Sequence, residues 1–245
     1  MIDFKETSQR GNKRKGINQD SILALVQGDS GIFVVSDGMG GLAKGEYASL
    51  CVVDGIRQWW DQRVSNLRTR PITVCADELE DVLRRINAEL YHQTDVGGAT
   101  VVLLLVNGDA YAVINAGDSR IYYSDSEETL LQLSSDDIWE HDSDLTQNLT
   151  PEEISTSPER GKLTNAVGIM QKFVPSTNTG SLKQKCQFLL VSDGVYKYCS
   201  EEKMISAVRN SFESNNLDSA VDTIVSEVYQ NGAKDNLSVI LVSYR

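Results

Sequence analysis

Cysteine is scarce in this chain and never paired in sequence. There are four, Cys51, Cys75, Cys186 and Cys199, and no CxxC occurs. A disulfide-stapled secreted scaffold is therefore not expected, and a reduced, cytoplasmic setting is. Long apolar runs are missing too. The longest, Ala99–Val106, is far too short to span a bilayer. Met1–Lys15 is polar, so no secretory leader is expected. Basic residues are outnumbered, 23 against 35 acidic ones, for a net charge of −12. That balance disfavours nucleic acid and anionic membrane as partners. Histidine is nearly absent, with His92 and His141 alone. No internal repeat or low-complexity tract is found.

What is present is enough to build a core. Hydrophobic residues make up 40% of 245 positions, which rules out a disordered chain and fits one large domain. Leu79, Val82, Leu83, Ile86 and Leu90 recur at helical spacing, and so do Leu217, Ala220, Val221, Ile224, Val225 and Val228. A third helix, starting near Gly45-Glu46, carries Ala48, Val52, Ile56 and Trp59. A fourth starts after Ser200, a good N-cap, and buries Met204, Ile205 and Val208. Of the adjacent Trp59 and Trp60, one is expected to face the core.

Strands are predicted at Ile22–Val26, Gly31–Ser36, Ala99–Val106, Ala110–Ile114, Arg120–Ser124, Thr129–Leu133, Gln187–Val191 and Leu237–Ser243. Asn107-Gly108 reads as a tight hairpin turn; Gln27–Gly31 and Ser124–Glu128 read as further turns. Segregated helices and antiparallel hairpins give an α+β fold, with two mainly antiparallel sheets face to face and helices outside, a four-layer α/β/β/α sandwich. Ser134–Thr179 is polar, lacks periodicity and holds Pro151, Pro158 and Pro175, so it reads as a long irregular insertion with Phe173 anchoring its return.

Five acid-bearing segments lie where apolar runs begin or end. They are Asn18-Gln19-Asp20, Asp37-Gly38-Met39-Gly40-Gly41, Gly117-Asp118-Ser119-Arg120, Asp193-Gly194 and Asp235-Asn236. One Asp-Gly alone is ordinarily a turn. Several carboxylates delivered by strand ends can converge; they then repel one another and must protonate or bind a cation. Oxygen-only donors select hard ions such as Mg²⁺ or Mn²⁺, and a multinuclear centre of that kind activates water against a phosphate ester. Gly38, lacking a Cβ, could bring its carbonyl to an ion, and Gly40 and Gly41 would let the chain turn away. No GKS or GKT follows, so a nucleotide P-loop is not expected.

Taken together and in this order, the segments resemble the metal-dependent protein phosphatases of the PPM (type 2C) family, from about Gly16 to Val242. Further matches are Glu46, Gly98-Ala99-Thr100, Asn115-Ala116-Gly117-Asp118-Ser119-Arg120, Leu163-Thr164 with Ala166 and Gly168, Ser192-Asp193-Gly194 and Lys234-Asp235-Asn236-Leu237-Ser238. The Asp-Gly-Met-Gly-Gly segment and compact length look like bacterial members. The resemblance implies one catalytic domain over 1–245, with 134–179 as a flap beside the site. It implies two core ions, Mn²⁺ or Mg²⁺. Asp37 would bridge them, the Gly38 carbonyl would complete one, and Asp193 and Asp235 would bind the other. Asp20 would act through bound water, and Asp118 would share a third, weaker ion with Asp193. Asp20, Asp37, Asp193 and Asp235 are thus the catalytic set, and the reaction is attack of activated water on phosphoserine or phosphothreonine without a phospho-enzyme. Implied partners are phosphorylated proteins, the products of a serine/threonine kinase. Nothing argues for an obligate dimer, so a monomer is expected.

The pattern is departed from at two places. Many members carry an Arg five residues before the Asp at position 20; here Lys15 stands there, with Arg14 one step earlier, and either could meet phosphate. The family's Asp-His-Ser is replaced by Asp136-Asp137-Ile138. This leaves the general acid open, with His141 and bound water as candidates. Asp136, Asp137, Glu140, Asp142 and Asp144 read first as solvated loop charges, with selection of basic phosphopeptides as the functional alternative. A catalytically silent binding module on the same fold is the competing reading.

Overall fold

The computed structural model describes residues 1–12, 16–40, 44–93, 95–125, 129–182 and 185–245, and its strands carry alternating side chains into three separate cores. Eleven strands and seven α-helices are found among the described residues. The strands are β1 Ile2–Gln9, β2 Asp20–Gln27, β3 Ser30–Met39, β4 Gly98–Ala99, β5 Val101–Asn107, β6 Ala110–Ala116, β7 Arg120–Ser124, β8 Leu131–Gln132, β9 Ser176–Ser181, β10 Cys186–Val191 and β11 Leu237–Tyr244. The helices are α1 Gly45–Arg63, α2 Ile72–Tyr91, α3 Ser143–Thr146, α4 Pro151–Thr156, α5 Asp193–Tyr196, α6 Glu201–Ser214 and α7 Leu217–Gln230.

One sheet runs β1-β11-β10-β7-β8, and the other runs β2-β3-β5-β6-β9 with β4 beside β3. All the described pairings are antiparallel. Side chains alternate across a strand, so a strand buried on both faces needs a continuous apolar run. In β3, Phe33 and Val35 face the opposing sheet, while Ile32 and Val34 face α1 and α2. Strand β5 divides likewise, as do β10 (Phe188 and Leu190 against Leu189 and Val191) and β11 (Ile240 and Val242 against Val239 and Leu241). Helices α6 and α7 cover the outer face of the sheet that holds β10 and β11. The expected α/β/β/α sandwich is what forms.

Ser200 caps α6 through its side chain, as expected, and Gly108-Asp109 closes the β5–β6 hairpin, where Asn107 pairs with Ala110. Phe173 is buried in the core beneath α2. Four expectations need correction. Trp59 and Trp60 are both buried, because α1 packs on the sheet with one side and on α2 with another. The stretch 134–179 is not wholly irregular: it holds α3, α4 and the start of β9. Helix α4 has a capping box, Thr150 with Glu153. Strands β1 and β9, which the hydrophobic pattern does not mark, form the outer edges of the two sheets. The expected strand 129–133 shrinks to two residues. The expected turn at 124–128 falls partly outside the described residues.

Candidate metal centre

The same alternation that fills the core also aims the acids. Asp37 follows Phe33 and Val35 on the inter-sheet face of β3, and Asp20 lies directly opposite it in the β2–β3 register. Directly opposed residues of an antiparallel pair share one face. From the other sheet, Ser192 directly follows β10 and Ser238 is the second residue of β11, in step with the inter-sheet residues Leu190 and Ile240. The two serines donate to one oxygen of Asp20: Ser192 Oγ at 2.9 Å and Ser238 Oγ at 2.7 Å from Oδ2. Asp20 therefore ties the two sheets together beneath the site.

Asp37 is held by its backbone. Its N–H donates to Thr100 Oγ1 at 3.0 Å, and its carbonyl accepts from Thr100 N at 2.9 Å. Thr100 Oγ1 is itself 2.7 Å from Ser119 Oγ, next to Asp118. Gly38 is a glycine for a reason the sequence did not reveal. A Cβ there would lie 2.2 Å from the Gly45 carbonyl oxygen and 2.6 Å from that of Gln19. The position is closed by the first turn of α1, so Gly38 fixes how near α1 comes to β3.

Asp37, Gly38, Asp118, Asp193 and Asp235 all line one cavity of about 230 Å³. Asp20 does not line it; this acid is 8% exposed and lies below. The carboxylates surround the space without closing on one another, and no three His, Cys, Asp or Glu side chains among the described residues make a ready cage. Electrostatics reflect the crowding. Burial first, then Asp20, Asp193, Asp235 and Asp118, hold the Asp37 carboxyl well above its ordinary range. Burial pushes Asp20 up to about 6, against the opposing pull of Ser238 and Ser192. Asp118 is raised by burial and by Asp193.

The donor set fits hard divalent cations. It is all oxygen, and two of its atoms, Asp20 Oδ1 and Asp193 Oδ1, are buried with no hydrogen-bond partner. Such orphaned carboxylate oxygens are costly unless a cation meets them. Size does not locate the site. A wider groove of about 640 Å³ lies between α1 and α2, but its most enclosed acid, Glu78, is already engaged by Trp59, Arg63 and Arg70.

Lys15 and Arg14, the expected phosphate contacts, lie outside the described residues, as does Gly41. His92 and His141 are exposed and neither lines the cavity. Two acids expected to be solvated are internal. Asp136 is buried and takes a forked ion pair from Arg120, at 3.0 Å from Nε and 2.6 Å from Nη2. Asp137 accepts from Gly117 N and Asn165 Nδ2, each at 3.0 Å. Together they brace the turn that carries Asp118. Sequence reasoning also missed Lys197, which lines the cavity four residues after Asp193. The i, i+4 spacing was the available signal.

Known proteins resemble this chain along nearly its whole length. The protein phosphatase 2C family model matches residues 9–241. Protein phosphatase PhpP of Streptococcus pneumoniae is 29% identical over 239 residues, covering 95% of this chain and 94% of that protein. The crystal structure of serine/threonine phosphatase Stp1 from Staphylococcus aureus is similar with a TM-score of 0.84 at 26% identity, over 100% of this chain and 96% of the other. The catalytic domain of serine threonine protein phosphatase PstP, solved in complex with two manganese ions, shares the fold at a TM-score of 0.75 and 22% identity, covering 100% and 99%.

Proposed function

This chain belongs to the protein phosphatase 2C family, and on that premise we propose that the cavity is where it hydrolyses phosphoserine and phosphothreonine in proteins. The enzyme is a metal-dependent serine/threonine phosphatase that uses Mn²⁺ or Mg²⁺. The observation that carries the site assignment is the ring of Asp37, Asp118, Asp193 and Asp235 around one space, with one orphaned carboxylate oxygen on a lining acid, Asp193, and another on Asp20 beneath it. Asp37, the Gly38 carbonyl, Asp193 and Asp235 would hold the two core ions, with Asp20 supporting them from beneath. When bound, such a pair lowers the pKa of water toward neutrality and offsets charge developing on the phosphoryl oxygens.

The chain's own part is positioning. Thr100 fixes the Asp37 backbone from both sides, so that carboxylate is aimed before any ion arrives. Ser192 and Ser238 hold one oxygen of Asp20 and leave the other turned away from hydrogen bonds. Arg14 or Lys15 would meet the phosphate. The whole of 1–245 acts as one catalytic unit in this reading, with 134–179 as the flap; Gly161 and Leu163 from that stretch border the cavity. Among the described residues no helix is long and apolar enough to cross a membrane. A cytoplasmic monomer opposing a serine/threonine kinase is the corresponding setting.

Hydrolysis of a phosphothreonine peptide tests the reading. Turnover is expected with Mn²⁺, and none after chelation. Asp37→Asn and Asp235→Asn should each lose at least the ~10–100-fold that removal of a metal site's outer partner costs. Hydrolysis that survives chelation and Asp37→Asn rejects the mechanism. No hydrolysis with metal present leaves the silent binding module.

A further inference from the structure

Lys197 follows the short helix α5, and its N–H donates to the Asp193 carbonyl at 3.1 Å. One turn of helix brings its side chain back over Asp193. The ammonium lies 2.6 Å from Asp193 Oδ2 and 3.6 Å from Asp118 Oδ2. These carboxylates come from different segments, one after β10 and one in the β6–β7 turn, so a single tethered charge spans two walls of the cavity. The Lys197 side chain as a whole is half-exposed.

Its position is prepared by neighbours. The Tyr196 hydroxyl donates to the same Asp118 oxygen at 3.4 Å, and the Tyr196 ring lies 5.9 Å from the ammonium. That ring is capped by the Arg120 guanidinium at 3.7 Å, which is fixed in turn by buried Asp136. An arginine so engaged in a forked pair holds the aromatic ring in place. The position between Asp118 and Asp193, where the family resemblance implies a third and weaker ion, is thus held in this chain by a cation of its own.

We infer that Lys197 is a tethered cation standing in for the third divalent ion, so this phosphatase operates with two ions and one ammonium. The inference rests on the metal-centre reading above. A divalent ion entering between Asp118 and Asp193 would have to displace the ammonium or sit against it, and like charges at that range repel strongly. Lys197 is a positioning residue here: it offsets Asp118 and one oxygen of Asp193, whose other oxygen, Oδ1, is left for the core pair.

Anomalous diffraction from crystals of the full chain soaked in excess Mn²⁺ tests this, alongside calorimetric counting of bound Mn²⁺. The wild type should show two ions, none between Asp118 and Asp193. Lys197→Met and Lys197→Gln should each gain a third ion there, weaker than the first two. A third ion in the wild type overturns the inference, and so does a pair of variants that still bind two. Either result leaves the metal centre standing. A wild type that binds no ion near Asp37 and Asp235 overturns the centre itself, and Lys197's role with it.

Discussion

Asp20 shows how one residue can join structure to chemistry without lining the cavity. Its carboxyl is buried between two sheets, takes both serine hydroxyls on one oxygen and is pushed up to about 6 from 3.8. A carboxyl whose folded value is raised holds its proton more tightly in the fold than in the unfolded chain. Its contribution is complete below 3.8 and is lost as pH rises through about 6. Metal-free wild type should therefore lose stability relative to Asp20→Asn between about pH 4 and pH 7, by up to ~3 kcal/mol at 1.36 kcal/mol per unit. Urea midpoints of both proteins in chelator, measured across that range, check this. Parallel curves would remove Asp20 as the cause. Arg120 makes a second case. Its partner Asp136 is 3% exposed at the side chain, while Arg120 is 25% exposed. Truncation to Met would strand a buried carboxylate, which costs about 3–5 kcal/mol for a fully buried pair and roughly 2–4 here after solvent screening. Denaturation of Arg120→Met against wild type measures it.

At the scale of elements, what could be read from sequence was whatever buries apolar side chains. Helices α2 and α7 announce themselves by stripes, and β3, β5, β10 and β11 by runs that serve two cores at once. Strand β9, Ser-Thr-Asn-Thr-Gly-Ser, has no apolar residue to alternate; it is held by its backbone register with β6 at the sheet's edge. Strand β1 alternates only weakly, yet pairs with β11 over its whole length. The acids of the site were legible because each ends or precedes an apolar run. Their supports were not. Ser192 and Ser238 matter only once two sheets bring them to Asp20, and Asp136 only once the β7–β8 pairing returns the chain to Arg120. Gly38 belongs at this scale as well. Gly38→Ala would set a Cβ against two backbone carbonyls and push α1 off β3. Overpacking of that kind costs roughly 1–3 kcal/mol. The variant should unfold earlier and bind Mn²⁺ more weakly, as differential scanning and Mn²⁺ titration would report. Unchanged unfolding would show that the α1 turn yields easily.

For the molecule as a whole, the cavity sits where the two sheets meet. Asp20 and Asp37 come from one sheet, Asp193 and Asp235 from the ends of β10 and β11 in the other. Ions held among them would clamp the sandwich at this end, whereas chelation leaves the acids to repel one another across it. A ligand that binds only the folded state adds stability by mass action, about 2.7 kcal/mol at a hundred times its dissociation constant. Saturating Mn²⁺ should therefore raise the melting temperature, and chelator should reverse the rise. The rise should be larger near pH 7.5 than near pH 5, since binding must expel protons from Asp20 and Asp37, whose carboxyls hold them above the ordinary range. Asp235→Asn removes one wall of the clamp from the second sheet and should abolish most of the rise while leaving the chelated protein folded. If Mn²⁺ stabilised Asp235→Asn as much as the wild type, the ions would be bound elsewhere and the sheets would not be bridged through this cavity.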